Sequence, residues 1–329
     1  MTDPVPEPGT DVALYVHWPY CARICPYCDF NVVRDRGQGE VQAALVAAIL
    51  ADMEAQAALT GPRRLASIFF GGGTPSLMAP EAVAAVIGRA RALFPPPGPV
   101  EITLEANPTD AEADRFAALA DAGVNRLSMG VQALDDAALH FLGRNHSADE
   151  ARRAVARGAW APPDEDLAAA LYETTQTVLE RAGFEAYEVS NHARGVPARS
   201  MHNLHVWRGG DYLGVGPGAH GRLTVDGART ATVARRGIAD YTAGVAAGAP
   251  WIERQAQTSV EAVEDQILLG LRTVEGVPLT ALAALGLTPA AVPLADLIAD
   301  GFLATVAGRL AATPRGRPVL DAVLKALLT

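Results

Sequence analysis

Basic residues are in the minority in this chain of 329 residues: 27 Lys and Arg stand against 37 Asp and Glu, a formal charge of −10. That balance argues against a general affinity for nucleic acid or an anionic membrane, and it favours a small, uncharged or cationic partner. The opening MTDPVPEPGTD is acidic and proline-rich, without the basic flank and apolar run of a secretory signal. No later segment is expected to reach the length of a membrane span. A cytoplasmic location is therefore the expectation. Cysteine is scarce too, with three residues in all. In a reducing compartment such thiols are poor candidates for disulfides and better ones for metal or redox chemistry, and their number is odd.

Apolar material is plentiful, at 50% of residues, enough for one large domain or a large and a small one. The first half alternates strand-like with helix-like patterns. ALYVHWP precedes a helix around VQAALVAAILADMEAQAAL, LASIFFGG precedes one from Glu81 to Phe94, VEITLEAN precedes AEADRFAALADAG, and NRLSMGVQ precedes helical sequence from Asp135 to Arg157. Short apolar runs bounded by glycine or proline and separated by amphipathic helices predict buried parallel strands, hence an α/β fold, doubly wound or barrel-like. After Trp160 the pattern changes. PPDEDLAAALYETTQTVLERAG reads as a helix closed by Gly183, FEAYEVSNHA as an extended segment expected to add a strand to the four preceding units, and HNLHVWRGGDYLGVGPGAHGRL as a glycine-rich loop. From about Val260 the chain reads as short helices, EAVEDQILLGLR the clearest, with a small strand pair around GFLATVAGRLAATPRG. The domains expected are residues 1–240 and 241–329.

All three cysteines, Cys21, Cys25 and Cys28, fall in the stretch CARICPYCDF directly after the first strand. A closed zinc site needs four ligands, which His17 could complete. An iron–sulfur cube held by three thiolates instead keeps one iron open for an outside ligand. FFGGGTPS ends the second strand, and glycines there let backbone approach a ligand where parallel sheets bind them. Alone, such a run is a tight turn.

Together the two motifs resemble those of the radical S-adenosylmethionine (SAM) superfamily. More specifically, YVHWPYC, GGGTPS, LEANP, GVQ, LGRNH, YEVSNHA and HNLHVW follow in the order of the branch that contains oxygen-independent coproporphyrinogen III oxidase and the heme chaperone HemW. The resemblance implies a truncated partial (β/α) barrel with a small, mostly helical C-terminal domain, and a [4Fe–4S] cluster on Cys21, Cys25 and Cys28. It places Tyr15 and Tyr27 beside the cluster and adenosine, Gly72, Gly73 and Thr74 on SAM as backbone contacts, and Glu105, Gln132 and Arg144 as polar SAM contacts. A carboxylate suits an ammonium or hydroxyl, and a guanidinium suits the methionyl carboxylate.

Within the branch, two features point to a chaperone. The oxidases usually add a further Cys where Phe30 stands here, and their longer leader is expected to have no room before Leu14. The heme-associated fingerprint H-N-x-x-Y-W appears as His202-Asn203-Leu204-His205-Val206-Trp207, with Val206 replacing tyrosine. The resemblance thus implies heme at His202, with His205 and His220 as competitors. It implies heme-accepting respiratory proteins as partners, including ones at the membrane, and allows a homodimer. The alternatives are the oxidase itself and a degenerate zinc or apo scaffold.

One departure stands out. The branch carries a segment with an Asp and a GLPGQT-like turn, yet here ARRAVARGAW runs straight into APPDEDLA. Roughly two strand–helix units, or about 60 residues, are missing. With them goes the Asp expected on the SAM ribose, and the fourth strand is expected to have an open edge.

Overall fold

The apolar run after Asp11 forms strand β1 (Asp11–Trp18), in which Val12, Leu14, Val16 and Trp18 are all buried. In the computed structural model, which describes residues 10–25, 28–107, 110–130 and 174–328, β1 is the centre of an eight-stranded sheet. The others are β2 (Arg64–Gly72), β3 (Glu101–Ala106), β4 (Arg126–Met129), β5 (Asp211–Val215), β6 (His220–Val225), β7 (Ala228–Ala234) and β8 (Trp251–Ala256), in the order β8-β7-β6-β5-β1-β2-β3-β4. From β5 across to β4 every pairing is parallel, and β5 to β8 pair antiparallel. The α/β fold with a parallel sheet is as the strand and helix pattern predicts.

Helices α1 (Gly39–Thr60), α2 (Pro80–Leu93), α3 (Asp110–Asp121) and α4 (Ile238–Ala246) accompany this sheet. Pro80 opens α2, where a missing N–H costs nothing. Leu45, Ile49 and Met53 of α1 and Val83, Val86 and Ile87 of α2 are buried with β1, β2 and β3 in one core. Burying an aliphatic side chain contributes roughly 1.5–3 kcal/mol, so this layer is the main source of stability. Helix α1 corrects the expectation about membrane spans: its 22 residues and mean hydropathy of 1.4 reach the length and composition of one. Its Asp52, Gln56 and Thr60 are nonetheless buried beside its apolar face, so it serves as a core helix of this unit.

Two compact units result, one holding the described residues of 10–130 and 211–256, the other those of 174–210 and 257–328. In the second unit Thr258 and Glu261 form a reciprocal capping box at the start of Ser259–Gly270. Leu303–Val306 and Arg309–Ala312 form the expected strand pair, joined by Val277–Pro278. Ile267, Leu282, Leu294, Leu310 and Leu324 make its core.

Two expectations fail. The stretch from His202 to Leu223 is no loop, for it holds the helix Met201–Trp207 and strands β5 and β6. Its glycines serve close strand packing: a Cβ on Gly214 would lie 2.0 Å from the His220 carbonyl oxygen. FEAYEVSNHA supplies only a two-residue pair, Glu185–Ala186 with His192–Ala193, and the fifth parallel strand is β5. Among the described residues β4 is the sheet's end strand, with Leu127 and Met129 exposed. The helix expected from Asp135 to Arg157 and the junction at Trp160 lie outside the described residues.

Candidate functional site

Parallel pairing brings the carboxyl ends of β1, β2, β3 and β4 level: Trp18 lies opposite Gly72, and Glu105 opposite Ser128. Ligands of α/β sheets bind at such ends. The cysteine loop leaves β1 there. The Thr74 N–H donates to the Tyr20 carbonyl at 2.8 Å and the Gly73 N–H to that of Trp18 at 2.7 Å, which pins the glycine turn against the cysteine loop. The approach tolerates no side chain, because a Cβ on Gly73 would sit 2.6 Å from the Tyr20 oxygen. Gly72 has a φ of +105°, and a Cβ there would meet the His17 ring at 2.6 Å.

Glu105 reaches this turn from β3, its Oε2 accepting from the Gly72 N–H at 3.2 Å. Burial pushes its carboxyl up to about 7, and the Gly72 contact opposes that rise. An ammonium would supply the counter-charge that this part-buried carboxylate lacks among the described residues. Asn107, in the same LEANP motif, donates to Thr74 Oγ1 at 3.2 Å. Its place two residues after Glu105 in that motif is the signal in the sequence that marks it.

Tyr15 and His17 lie behind the turn. The Tyr15 hydroxyl contacts His17 Nδ1 at 3.2 Å and His17 Nε2 donates to the Asn31 carbonyl at 2.8 Å. Burial holds the His17 ring below its usual pKa, hence neutral, and burial with Glu105 nearby raises that of Tyr15. With both nitrogens of His17 engaged, the fourth zinc ligand once open to it is better read as a brace. Asn31 extends the brace, donating from Nδ2 to the carbonyls of Pro217 and Arg236 at 2.8 and 2.9 Å. A bridge across 186 residues leaves no local signal in the sequence.

None of the cysteines is in a disulfide; Cys21 is buried, and Cys25 and Cys28 are partly exposed. The Cys28 N–H donates to the Cys25 carbonyl at 3.0 Å. Among the described residues no three Cys, His, Asp or Glu side chains are gathered into a metal-holding group. As a donor set, three thiols on one loop fit a thiolate-ligated iron–sulfur cluster with an open iron. Tyr27, Gln132 and Arg144 lie outside the described residues.

In the second unit, His202 and His205 lie on the helix Met201–Trp207, capped by Ser200, whose hydroxyl accepts from the Asn203 N–H. Both rings are buried. Burial, with His205 adding to it, drives the His202 pKa down to about 3. Arg208 holds Glu275 in a two-pronged ion pair at 2.6 and 2.9 Å, and the Arg272 guanidinium lies 4.8 Å from the Trp207 ring centre. An axial heme ligand presents a ring nitrogen to a porphyrin face, and neither histidine is at the surface. His220 is exposed on β6.

Comparison with known proteins adds the rest. Residues 15–158 match the model of the Radical SAM superfamily, and residues 257–319 that of the HemN C-terminal domain. The chain is 38% identical to "Radical S-adenosyl methionine domain-containing protein 1, mitochondrial" of Bos taurus, over 83% of this chain and 76% of that protein. A match to the Mus musculus protein of the same description, 41% identical, covers 64% of it. With the heme chaperone HemW of Escherichia coli (strain K12) the identity is 31%, over 96% of this chain and 98% of that one. That alignment runs over 383 positions, more than this chain's 329 residues, so the relative carries residues with no counterpart here. Among solved structures, coproporphyrinogen III oxidase (HemN) from Escherichia coli, described as a radical SAM enzyme, shares the fold with a TM-score of 0.76. At 18% identity, over 98% of this chain and 91% of that one, this likeness concerns the fold alone. The bovine and mouse relatives are named as mitochondrial, which does not bear out the cytoplasmic expectation.

Proposed function

The chain belongs to the radical SAM superfamily, in the branch of HemN and HemW, and on that premise we propose that it is a HemW-like heme chaperone. Cys21, Cys25 and Cys28 would hold the [4Fe–4S] cluster that the family implies. Gly72, Gly73, Thr74 and Glu105 would hold SAM at the neighbouring strand ends. The observation that carries this reading is the pinning of the glycine turn to the cysteine loop, with the part-buried Glu105 carboxyl, which has no cationic partner among the described residues, at the same place. When bound, the cluster and SAM supply one-electron chemistry that no side chain here provides. The chain's own part is to orient: backbone N–H groups of the turn set its distance from the loop, and Glu105 receives a cation. Heme is the proposed cargo, on the strength of the HemW relatives and the His202 fingerprint, and heme-binding respiratory proteins are the proposed acceptors.

Phe30 stands where the oxidase motif has a further Cys, and it is 65% exposed. Decarboxylation of coproporphyrinogen is therefore not expected. The test is anaerobic reconstitution with iron and sulfide followed by titration with heme. The reading expects four irons per chain, loss of most visible absorption in any single Cys-to-Ala variant, and a saturable Soret shift. Stoichiometric zinc in place of iron and sulfide, or protoporphyrinogen formed at catalytic rates, would overturn it.

A further inference from the structure

The cysteine loop is closed at its base by a short parallel ladder in which Tyr20 and Cys21 pair with Val33 and Arg34. The Val33 N–H donates to the Pro19 carbonyl at 2.8 Å, and the Asp35 N–H to that of Cys21 at 2.7 Å. These bonds tie the returning limb of the loop to its own outgoing limb. Asn31, three residues after Cys28, is where the returning limb meets more distant chain.

An asparagine amide has two N–H donors, and Asn31 uses them on two backbone carbonyls from separate segments. One is Pro217 at 2.8 Å, in the turn between β5 and β6, and the other is Arg236 at 2.9 Å, in the connection from β7 to α4. The socket is shaped for this side chain. Gly218 has a φ of +80°, and a Cβ there would lie 2.7 Å from the Asn31 amide nitrogen. Gly216 has a φ of +102°, and a Cβ there would lie 2.3 Å from the His17 carbonyl oxygen. The socket is also held from outside, because the Gly216 N–H donates to the Tyr241 hydroxyl and the Gly218 N–H to the Arg235 carbonyl, both at 2.9 Å. The Asn31 carbonyl accepts from His17 Nε2 at 2.8 Å, and the same His17 ring fills the space where Gly72 lacks a Cβ. The ring that Asn31 holds therefore abuts the glycine turn.

We propose that Asn31 is the positioning residue of the cysteine loop. Its amide, seated in the socket of Gly216, Pro217 and Gly218, sets the returning limb so that Cys28 and Cys21 stand in a fixed relation before a cluster binds. Through His17 it couples that limb to the glycine turn. Ordering the loop then belongs to folding and not to metal binding, which is how a preorganised site gains affinity. The inference rests on the reading of Cys21, Cys25 and Cys28 as cluster ligands and names the group that arranges them.

The test uses the full chain and sets Asn31→Asp, which keeps the shape and removes both donors, against Asn125→Asp as a matched control. Asn125 likewise makes two hydrogen bonds to backbone, both at 2.8 Å, but between the starts of β3 and β4. In the metal-free protein, iodoacetamide labelling read by mass spectrometry gives a rate for each cysteine. Asn31→Asp should speed labelling of the buried Cys21 at least about tenfold, as expected when lost hydrogen bonds ease local opening. After anaerobic reconstitution it should also hold less iron per chain and give a shifted electron paramagnetic resonance spectrum of the reduced cluster. Asn125→Asp should lower the urea midpoint yet keep the parent's labelling rates and spectrum. Gly218→Ala, which crowds the amide from the socket side, should reproduce the Asn31→Asp pattern, and it decides the matter should Asn31→Asp fail to fold. Labelling and spectra in the socket variants no more altered than in Asn125→Asp would overturn the proposal. A parent chain that takes up no iron–sulfur cluster would overturn the cluster reading instead, and the labelling rates of the metal-free chain would still decide whether Asn31 sets the loop.

Discussion

The Tyr241 hydroxyl donates to Asp52 Oδ2 at 2.7 Å, a buried contact between α4 and α1 across 189 residues of sequence. Gln56 donates to the other carboxylate oxygen and to the Gly214 carbonyl, both at 3.1 Å, and the Gly216 N–H donates to the Tyr241 oxygen at 2.9 Å. Two helices and the end of β5 are thereby tied together behind the candidate site. Burial pushes the Asp52 carboxyl up to about 6 from 3.8, against the pull of its two donors.

Because the folded value lies above the unfolded one, folding favours the protonated acid. That contribution is fully present below about pH 4 and is lost as the pH rises through about 6, on the order of 3 kcal/mol across the window. Asp52→Asn should flatten the difference. Urea midpoints for parent and variant at several values from pH 4 to 7.5 measure it, and parallel curves would show that Asp52 titrates as in the unfolded chain.

Gly72→Ala should loosen the glycine turn. A Cβ at that φ is strained and would strike the His17 ring, so a loss of about 1–3 kcal/mol is expected. His17→Ala in the same chain should recover part of it, because the struck ring is gone while the strained φ remains. Denaturant unfolding of the two single variants and the double variant reads the coupling.

Glu105 is raised to about 7 by burial, so its stabilising contribution, like that of Asp52, falls as the pH climbs through that value. A cation beside it reverses the preference. SAM binding near pH 6.5 should therefore expel part of a proton, seen as a calorimetric heat that depends on buffer ionisation. Glu105→Gln should abolish the buffer dependence and weaken SAM about ten- to a hundredfold. Identical proton release in parent and variant would remove Glu105 from the SAM site.

The segment that the HemW relative has and this chain lacks bears on turnover. The cysteine loop and glycine turn precede Trp160, so cluster assembly should proceed, whereas the ribose contact and the cavity wall that the family resemblance implies are expected in the absent stretch. Weak SAM binding and little 5′-deoxyadenosine after dithionite reduction are expected. A version with a family segment grafted between Trp160 and Pro163 should release more, and equal yields would show that the shortening is harmless.

What the sequence determined by itself was local and periodic. Val12, Leu14 and Val16, Ile68 and Phe70, and Ile102 and Leu104 announce buried strands, and Thr258 with Glu261 announces a helix start, because side-chain alternation and capping act over a few residues. The spacing of Cys21, Cys25 and Cys28 and the run Gly71-Gly72-Gly73 were likewise legible as chemistry, since both motifs are contiguous.

Tertiary structure decided what depends on distant partners. Glycines 214, 216 and 221 read as a loop because glycine promotes turns. Only the neighbouring strands show that they are there for close backbone approach. The same logic assigns His17 to a brace with Asn31, buries His202 beside His205, and turns the apolar α1 into a core helix holding Asp52 against Tyr241. Burial and long-range hydrogen bonding set the charge state and accessibility of these groups, and neither is a property of a residue's immediate neighbours in the chain.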